Sequence, residues 1–261
     1  MHATKRLLAI LILTLPFAAQ AAVKTETVEY RDGDTTLTGY LAYDDAMDGK
    51  RPGIIVVHEW WGLNDYARER AEMLAELGYV AFAVDMYGDR KVTEHANEAK
   101  GWMTQITENI DAWQKRALLG LDILKKHELV DPSYTAAIGY CFGGATVMQM
   151  AYAGADLDGV VSFHGSLPPA NEQQQKKINT RILVAHGEAD SFIPADRVAA
   201  FKDGLEKSGA DWQMVTYGGA RHGFTNPDAA KYGLDGVAYN EQADRRSWAL
   251  MQSFFEEIFA D

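Results

Sequence analysis

Tyr134-Thr135-Ala136-Ala137-Ile138-Gly139-Tyr140-Cys141-Phe142-Gly143-Gly144-Ala145-Thr146-Val147-Met148 is the stretch whose reading decides the fold. Tyr134–Ile138 reads as a short apolar strand and Gly143–Ala153 as a helix. Between them Gly139-Tyr140-Cys141-Phe142-Gly143 has the G-x-Nu-x-G form of a nucleophile elbow, with Cys where Ser is usual. The chemistry explains the glycines. A nucleophile held on a sharp strand-to-helix turn brings the residues two before and two after it against neighbouring backbone, where a side chain would collide. The helix N-terminus that follows favours a thiolate through its partial positive charge. A phosphate-binding loop is the competing reading of a Gly-rich strand-to-helix turn, but neither the Walker Lys-Ser/Thr pair nor G-x-G-x-x-G is present.

Working outward, Thr25–Tyr30 and Thr36–Tyr43 read as an edge hairpin around Arg31-Asp32-Gly33-Asp34. After Pro52 strands and helices alternate. Gly53–Val57, Tyr79–Val84, Gly159–Phe163, Arg181–Ala185 and Trp212–Tyr217 are strand-like. Helical patterns run over Asp65–Leu77, Thr93–Lys126 with a break, Pro194–Ser208 and about Asn240–Phe259. Short apolar strands separated by amphipathic helices predict an α/β fold with a mainly parallel sheet covered on both faces. Ligands in such sheets sit beyond the carboxyl ends of the strands. The loops after Val57, Val84, Ile138, Phe163, Ala185 and Tyr217 are therefore where chemistry is expected.

The N-terminus reads differently. Lys5-Arg6, an apolar run from Leu7 to Phe17 and then Ala19-Gln20-Ala21 have the order of a secretory signal peptide cleaved after Ala21. The apolar run falls short of the roughly 20 residues that span a bilayer. The expectation is an exported protein, periplasmic or secreted, with residues 22–261 forming one domain. Removing a segment that holds two cations and no carboxylate takes the formal charge from −12 to −14. Such acidity argues against nucleic acid or an anionic membrane as partner. A single Cys in an exported chain cannot close an internal disulfide. Free Cys often packs as a small hydrophobe, but here it stands at the nucleophile position.

A thiol used for acyl transfer needs a His within hydrogen-bond reach and a carboxylate to fix the tautomer of that His. On this kind of sheet the acid follows the nucleophile and the His comes last. Ala185-His186-Gly187-Glu188-Ala189-Asp190 supplies two acids after a strand, and Gly218-Gly219-Ala220-Arg221-His222-Gly223 supplies the last strand-end His. The set chosen is Cys141, Asp190 and His222, with Glu188 as rival acid; His164 and His186 are read as loop hydrogen-bonders.

Together with His58-Glu59-Trp60-Trp61-Gly62, these segments resemble the dienelactone hydrolase family over nearly the whole chain from about Thr25 to Phe259. The resemblance implies an α/β-hydrolase fold, a Cys-His-Asp triad at Cys141, His222 and Asp190, and no metal or organic cofactor. It also implies a proton-accepting role for Glu59 toward the thiol. The oxyanion hole is expected from the backbone N–H groups of Phe142 and Trp60. Trp61, Tyr87, Arg90 and Phe224 are candidate substrate contacts. Family members that cleave dienelactone hold its carboxylate with two arginines; here the corresponding positions carry Asp89 and Asn226, with Arg90 and Arg221 as displaced candidates. The expected activity is cleavage of a small ester or lactone through an acyl-thioester. The alternatives are thioester or peptide hydrolysis by the same triad, and a non-catalytic small-molecule binder on the same fold.

Overall fold

The computed structural model describes residues 23–260; the expected signal peptide lies outside the described residues. The chain opens with β1 (Val23–Asp32) and β2 (Thr35–Asp44), an antiparallel hairpin in which Asp32 pairs with Thr35 across Gly33-Asp34. It continues through β3 (Arg51–Val57), α1 (Asp65–Glu76), β4 (Val80–Val84), α2 (Ala96–Thr107), α3 (Ile110–Lys125), β5 (Val130–Tyr140) and α4 (Phe142–Ala153). Then come β6 (Gly159–Phe163), α5 (Glu172–Gln175), β7 (Arg181–Gly187), α6 (Ala195–Ser208), β8 (Trp212–Tyr217), a 3-10 turn (Ala229–Tyr232) and α7 (Glu241–Ile258). The eight strands form one sheet in the order β1-β2-β4-β3-β5-β6-β7-β8, and every pairing from β4 onward is parallel.

Side-chain alternation along each strand builds a core on both faces. Ile55 and Val57, Val80, Phe82 and Val84, and Ile182 and Val184 join α3, α4 and α6 on one side. Ile54 and Val56, Ala81 and Ala83, and Leu183 and Ala185 join α1 and α7 on the other. A period of two puts neighbours on opposite faces, so strands covered twice are apolar throughout. Helix α4 is buried from Phe142 to Tyr152, which is why its sequence lacks the polar stripe of α1 or α7.

The break expected in Thr93–Lys126 falls at Asn109, whose side chain accepts the N–H of Ala112 and caps α3. The strand read as Tyr134–Ile138 begins earlier, at Val130, because Arg51 and Pro52 pair with Val130 and Asp131 before the register shifts at Gly53. The short α5 and the 3-10 turn fall in stretches too brief for a periodic signal.

Candidate active site

Strand order brings the expected loops together. Sequential connections run outward from β3 in both directions, to β4 on one side and β5 on the other, so the sheet's switch point lies between β3 and β5. Val57 pairs with Gly139, placing the Glu59 loop beside the Cys141 elbow. Tyr140 pairs with Phe163, and Gly187 with Tyr217, so the loops carrying His164, Asp190 and His222 follow in order along the same edge.

At the elbow Cys141 has φ 55°, in the left-handed region that side chains rarely adopt. The glycines around it have the expected cause. A Cβ on Gly139 would lie 2.1 Å from the carbonyl oxygen of Gly143, and one on Gly143 would lie 2.1 Å from that of Val57. Cys141 N–H donates to the Phe163 carbonyl at 3.0 Å and toward Nδ1 of His164 at 3.1 Å. His164 is fully buried, and its other ring nitrogen meets Thr225 Oγ1 at 2.7 Å. Because Nδ1 accepts, Nε2 carries the proton in the neutral ring. Burial, and then the charge of nearby His222, holds His164 well below the ordinary histidine range, which preserves this acceptor. Thr225 in turn bonds Tyr66 at 2.6 Å, and its carbonyl accepts from Arg70, which is paired with Asp244 at 2.8 Å. The strained turn is thus pinned by a buried polar chain that runs back to α1 and α7.

His222 Nδ1 is 2.8 Å from Oδ2 of Asp190, while the second Asp190 oxygen accepts the N–H of Phe192. Glu188 is exposed and makes no contact of this kind. Burial by itself lowers the His222 pKa; the electrostatic interaction with Cys141, and then hydrogen bonding with Asp190 and with Cys141, outweigh it and hold the imidazole well above its usual value. Phe192, half exposed, stands edge-on to the same ring at 5.3 Å between centroids. His186 is buried beside Asp190 and His222 with Nδ1 unpartnered, and burial lowers its pKa.

Glu59 is buried, with 4% exposure, and accepts a hydrogen bond from Asn226 Nδ2 at 2.7 Å. Burial pushes its carboxyl up to about 7 against the lowering effects of the Asn226 bond and the charges of His222, Arg70 and Lys231. The backbone N–H groups of Phe142 and Trp60 donate to no acceptor among the described residues. Trp60 is held in place by Tyr87, whose hydroxyl donates to its carbonyl at 3.0 Å. Among the described residues no group of three or more His, Cys, Asp or Glu side chains is arranged to hold a metal ion.

The family model for the dienelactone hydrolase family matches residues 37–259. The chain belongs to the dienelactone hydrolase family. Protein usf of Aquifex pyrophilus is 30% identical to it over 240 residues, covering 89% of this chain and 98% of that protein. The structure of this chain superposes on a dienelactone hydrolase-like promiscuous phosphotriesterase from metagenomic libraries with a TM-score of 0.88 at 39% identity, covering 91% of this chain and 99% of the other. Est1E from Butyrivibrio proteoclasticus, at 18% identity and a TM-score of 0.60, shares the fold, covering 90% of this chain and 99% of the other.

Within this dienelactone hydrolase fold the remaining expected contacts are placed unevenly. Tyr87 packs on Phe142 and His58 at the rim of the elbow. Trp61 is buried and stacks on Tyr232 at 3.8 Å between centroids, while Trp60 is partly open beside it. Phe224 is completely buried against His164 and Tyr217, so it presents no surface to a ligand. The structure does not bring Arg90 to the elbow: its guanidinium lies against Thr38 and Glu29 of the β1–β2 hairpin, because consecutive positive φ angles at Gly88, Asp89 and Arg90 turn the chain that way. Asp89 is exposed and pairs with Lys91 at 3.5 Å, and Arg221 is exposed. Asn226, expected only as a missing arginine, is instead the buried partner of Glu59. Sequence reasoning missed this contact; it read His164 as a loop hydrogen-bonder, as the structure has it, but not its partners Cys141 and Thr225, because each contact joins residues far apart in the chain and carries no local motif.

Proposed function

We propose that the protein hydrolyses small carboxylic esters or lactones through an acyl-thioester on Cys141, with His222 moving protons and Asp190 fixing its ring. The observation that carries this reading is the 2.8 Å bond between His222 Nδ1 and Asp190 Oδ2 at the same sheet edge as a cysteine held at φ 55° on an elbow. As substrate enters, the thiol proton passes to Glu59, whose carboxyl near pKa 7 suits such an exchange at neutral pH. The thiolate sulfur attacks the carbonyl carbon, and the carbonyl electron pair moves onto oxygen, facing the N–H groups of Phe142 and Trp60. Backbone donors aimed at that oxygen are worth about 3 kcal/mol each in such reactions. Collapse breaks the bond to the leaving oxygen, which takes the proton from the His222 imidazolium. His222 then accepts a proton from water as the hydroxide adds to the thioester; expulsion of the thiolate releases the acid, and the sulfur takes its proton back from Glu59, restoring the resting thiol.

The engagement of the candidate anion-binding side chains elsewhere bears on substrate choice. Asn226 is engaged with Glu59, Arg90 with the hairpin, and Asp89 brings a carboxylate to the loop after β4. An arginine–carboxylate bond contributes about 1.5–3 kcal/mol, so an anionic substrate lacking such partners loses an order of magnitude or more in kcat/KM. The test is a panel of matched neutral and carboxylate-bearing esters and lactones, with one neutral phosphotriester because a relative is described as a phosphotriesterase. Wild type should favour the neutral members and Cys141→Ala should lose all turnover. Equal rates in both proteins would overturn the nucleophile. We further propose, from Lys5-Arg6, the apolar run and Ala19-Gln20-Ala21, that the working enzyme lies outside the cytoplasm after loss of residues 1–21; N-terminal sequencing of the protein recovered from cells checks it, and a chain still starting at Met1 overturns export.

A further inference from the structure

The amide of Asn226 has one possible orientation. Its Oδ1 accepts the backbone N–H of Asp228 at 2.9 Å, so Nδ2 is the atom that faces Glu59, donating to Oε2 at 2.7 Å. Asn226 is 1% exposed. An amide nitrogen donates and cannot accept. Oε2 must therefore accept whether the carboxyl is charged or neutral, and in the neutral acid the stronger acceptor, the carbonyl oxygen, is favoured there. The acid proton is favoured on Oε1. That oxygen points to the catalytic loop, since a Cβ built on Gly223, the residue after His222, would lie 3.8 Å from it.

We propose that Asn226 is a positioning residue that breaks the symmetry of the Glu59 carboxyl, keeping its exchangeable proton on Oε1, toward the His222–Gly223 loop, and off Oε2. Its catalytic meaning rests on the hydrolase reading above; the placement of the proton does not. The other side of Asn226 supports the assignment. Together with Tyr232 it lines a cavity of about 740 Å³ that Glu59 itself does not line, so the two side chains wall the carboxyl off from that space. Tyr232 is kept there by its stack on Trp61 and by the Asn64 amide, 3.3 Å from its hydroxyl. A proton on Oε2 would face this wall and its donor; one on Oε1 faces the chemistry.

The charged and titratable groups around Glu59 come from several elements. They are Arg70 and Tyr66 from α1, Tyr140 from β5, Lys231 and Tyr232 from the 3-10 turn, and His222 from the loop after β8. None of them donates a hydrogen bond to the carboxyl among the described residues, which leaves the asymmetry to Asn226. With burial raising Glu59 to about 7, both protonation states are populated near neutrality.

Infrared difference spectra of the free enzyme between pH 5 and pH 9 test the placement, with Glu59→Gln identifying the carboxyl band. In wild type the protonated Glu59 should show the carbonyl stretch of a hydrogen-bonded C=O. In Asn226→Leu that band should move to higher frequency, and the titration midpoint should rise by about one pH unit because the carboxylate loses its donor. The pH profile of Cys141 alkylation by iodoacetamide should move with it. Asn226→Asp keeps an acceptor for Asp228 N–H but sets an oxygen against Oε2. The proton is then drawn between the two carboxyls and the midpoint rises further, so this variant serves if the leucine protein fails to fold. A Glu59 band and midpoint unchanged in whichever variant folds would overturn the proposal. All of these readouts work without substrate, so a protein that hydrolyses nothing yet shows the shifts would refute the hydrolase reading and leave the proton placement standing.

Discussion

Replacing Glu59 by glutamine should stabilise the folded protein in alkaline solution and much less so in acid. The carboxyl is raised from 4.5 to about 7, first by burial, against the lowering effect of the Asn226 bond and of three nearby cations. Between those two values the native state binds a proton that the unfolded state has lost, so wild-type stability falls as pH rises through this window and levels off above about pH 7. A difference of about 2.5 units corresponds to about 3 kcal/mol once both states are ionised, near pH 8, and to about 1 kcal/mol at pH 5. Glutamine keeps the geometry: its oxygen accepts from Asn226 Nδ2, and its amide N–H stands where the neutral acid carries its proton. The variant should therefore gain about 2 kcal/mol on wild type between pH 5 and pH 8, equivalent to roughly 4–8 °C in relative melting temperature. Urea unfolding of both proteins at pH 5, 6, 7 and 8 measures the gain, and other titrating groups cancel in the difference. A stability difference that does not change with pH would refute the reasoning, since it would mean that Glu59 titrates alike in the folded and unfolded chains. The same variant should lose most turnover, as expected of a buried acid retained for chemistry at the expense of stability.

Two further outcomes follow from the geometry. Asp190→Asn should lower kcat by two or more orders of magnitude by spoiling the His222 tautomer, while Glu188→Gln stays within about twofold; the reverse ranking in steady-state assays would move the acid to Glu188. Gly143→Ala should destabilise the fold by about 3 kcal/mol or more, because its Cβ would meet the Val57 carbonyl at 2.1 Å, whereas Gly218→Ala, with open space around it, should stay within about 0.5 kcal/mol of wild type; equal unfolding midpoints would show that the elbow can relax.

The strand and helix pattern was largely legible because burial on both faces leaves a nearly continuous apolar signature at Gly53–Val57, Val80–Val84 and Gly159–Phe163, and because flanking glycines, Pro194, Asn109 and Asn240 punctuate the helices. The elbow was legible for the same kind of reason: strand, G-x-C-x-G and helix are contiguous, and the close approach of Gly139, Gly143 and Val57 is written into two glycine positions. The order Cys141, Asp190, His222 also lies in the one-dimensional record, as does the family.

What the sequence could not decide concerns contacts between loops far apart in the chain. Only the parallel register of β3 with β5 sets Glu59 beside the elbow, and only the folded loop after β8 turns Asn226 back across 167 positions to reach it. The same holds for His164, whose ring accepts the N–H of Cys141 through a turn that no local pattern announces. Arg90 shows the opposite case: adjacent in sequence to a predicted site, it is carried to the hairpin by three consecutive left-handed residues. Local composition determines which strands and turns form, because those depend on neighbours within a few residues. Hydrogen-bond partners of a buried side chain depend on which strands lie side by side, and that is settled only when the whole sheet has packed.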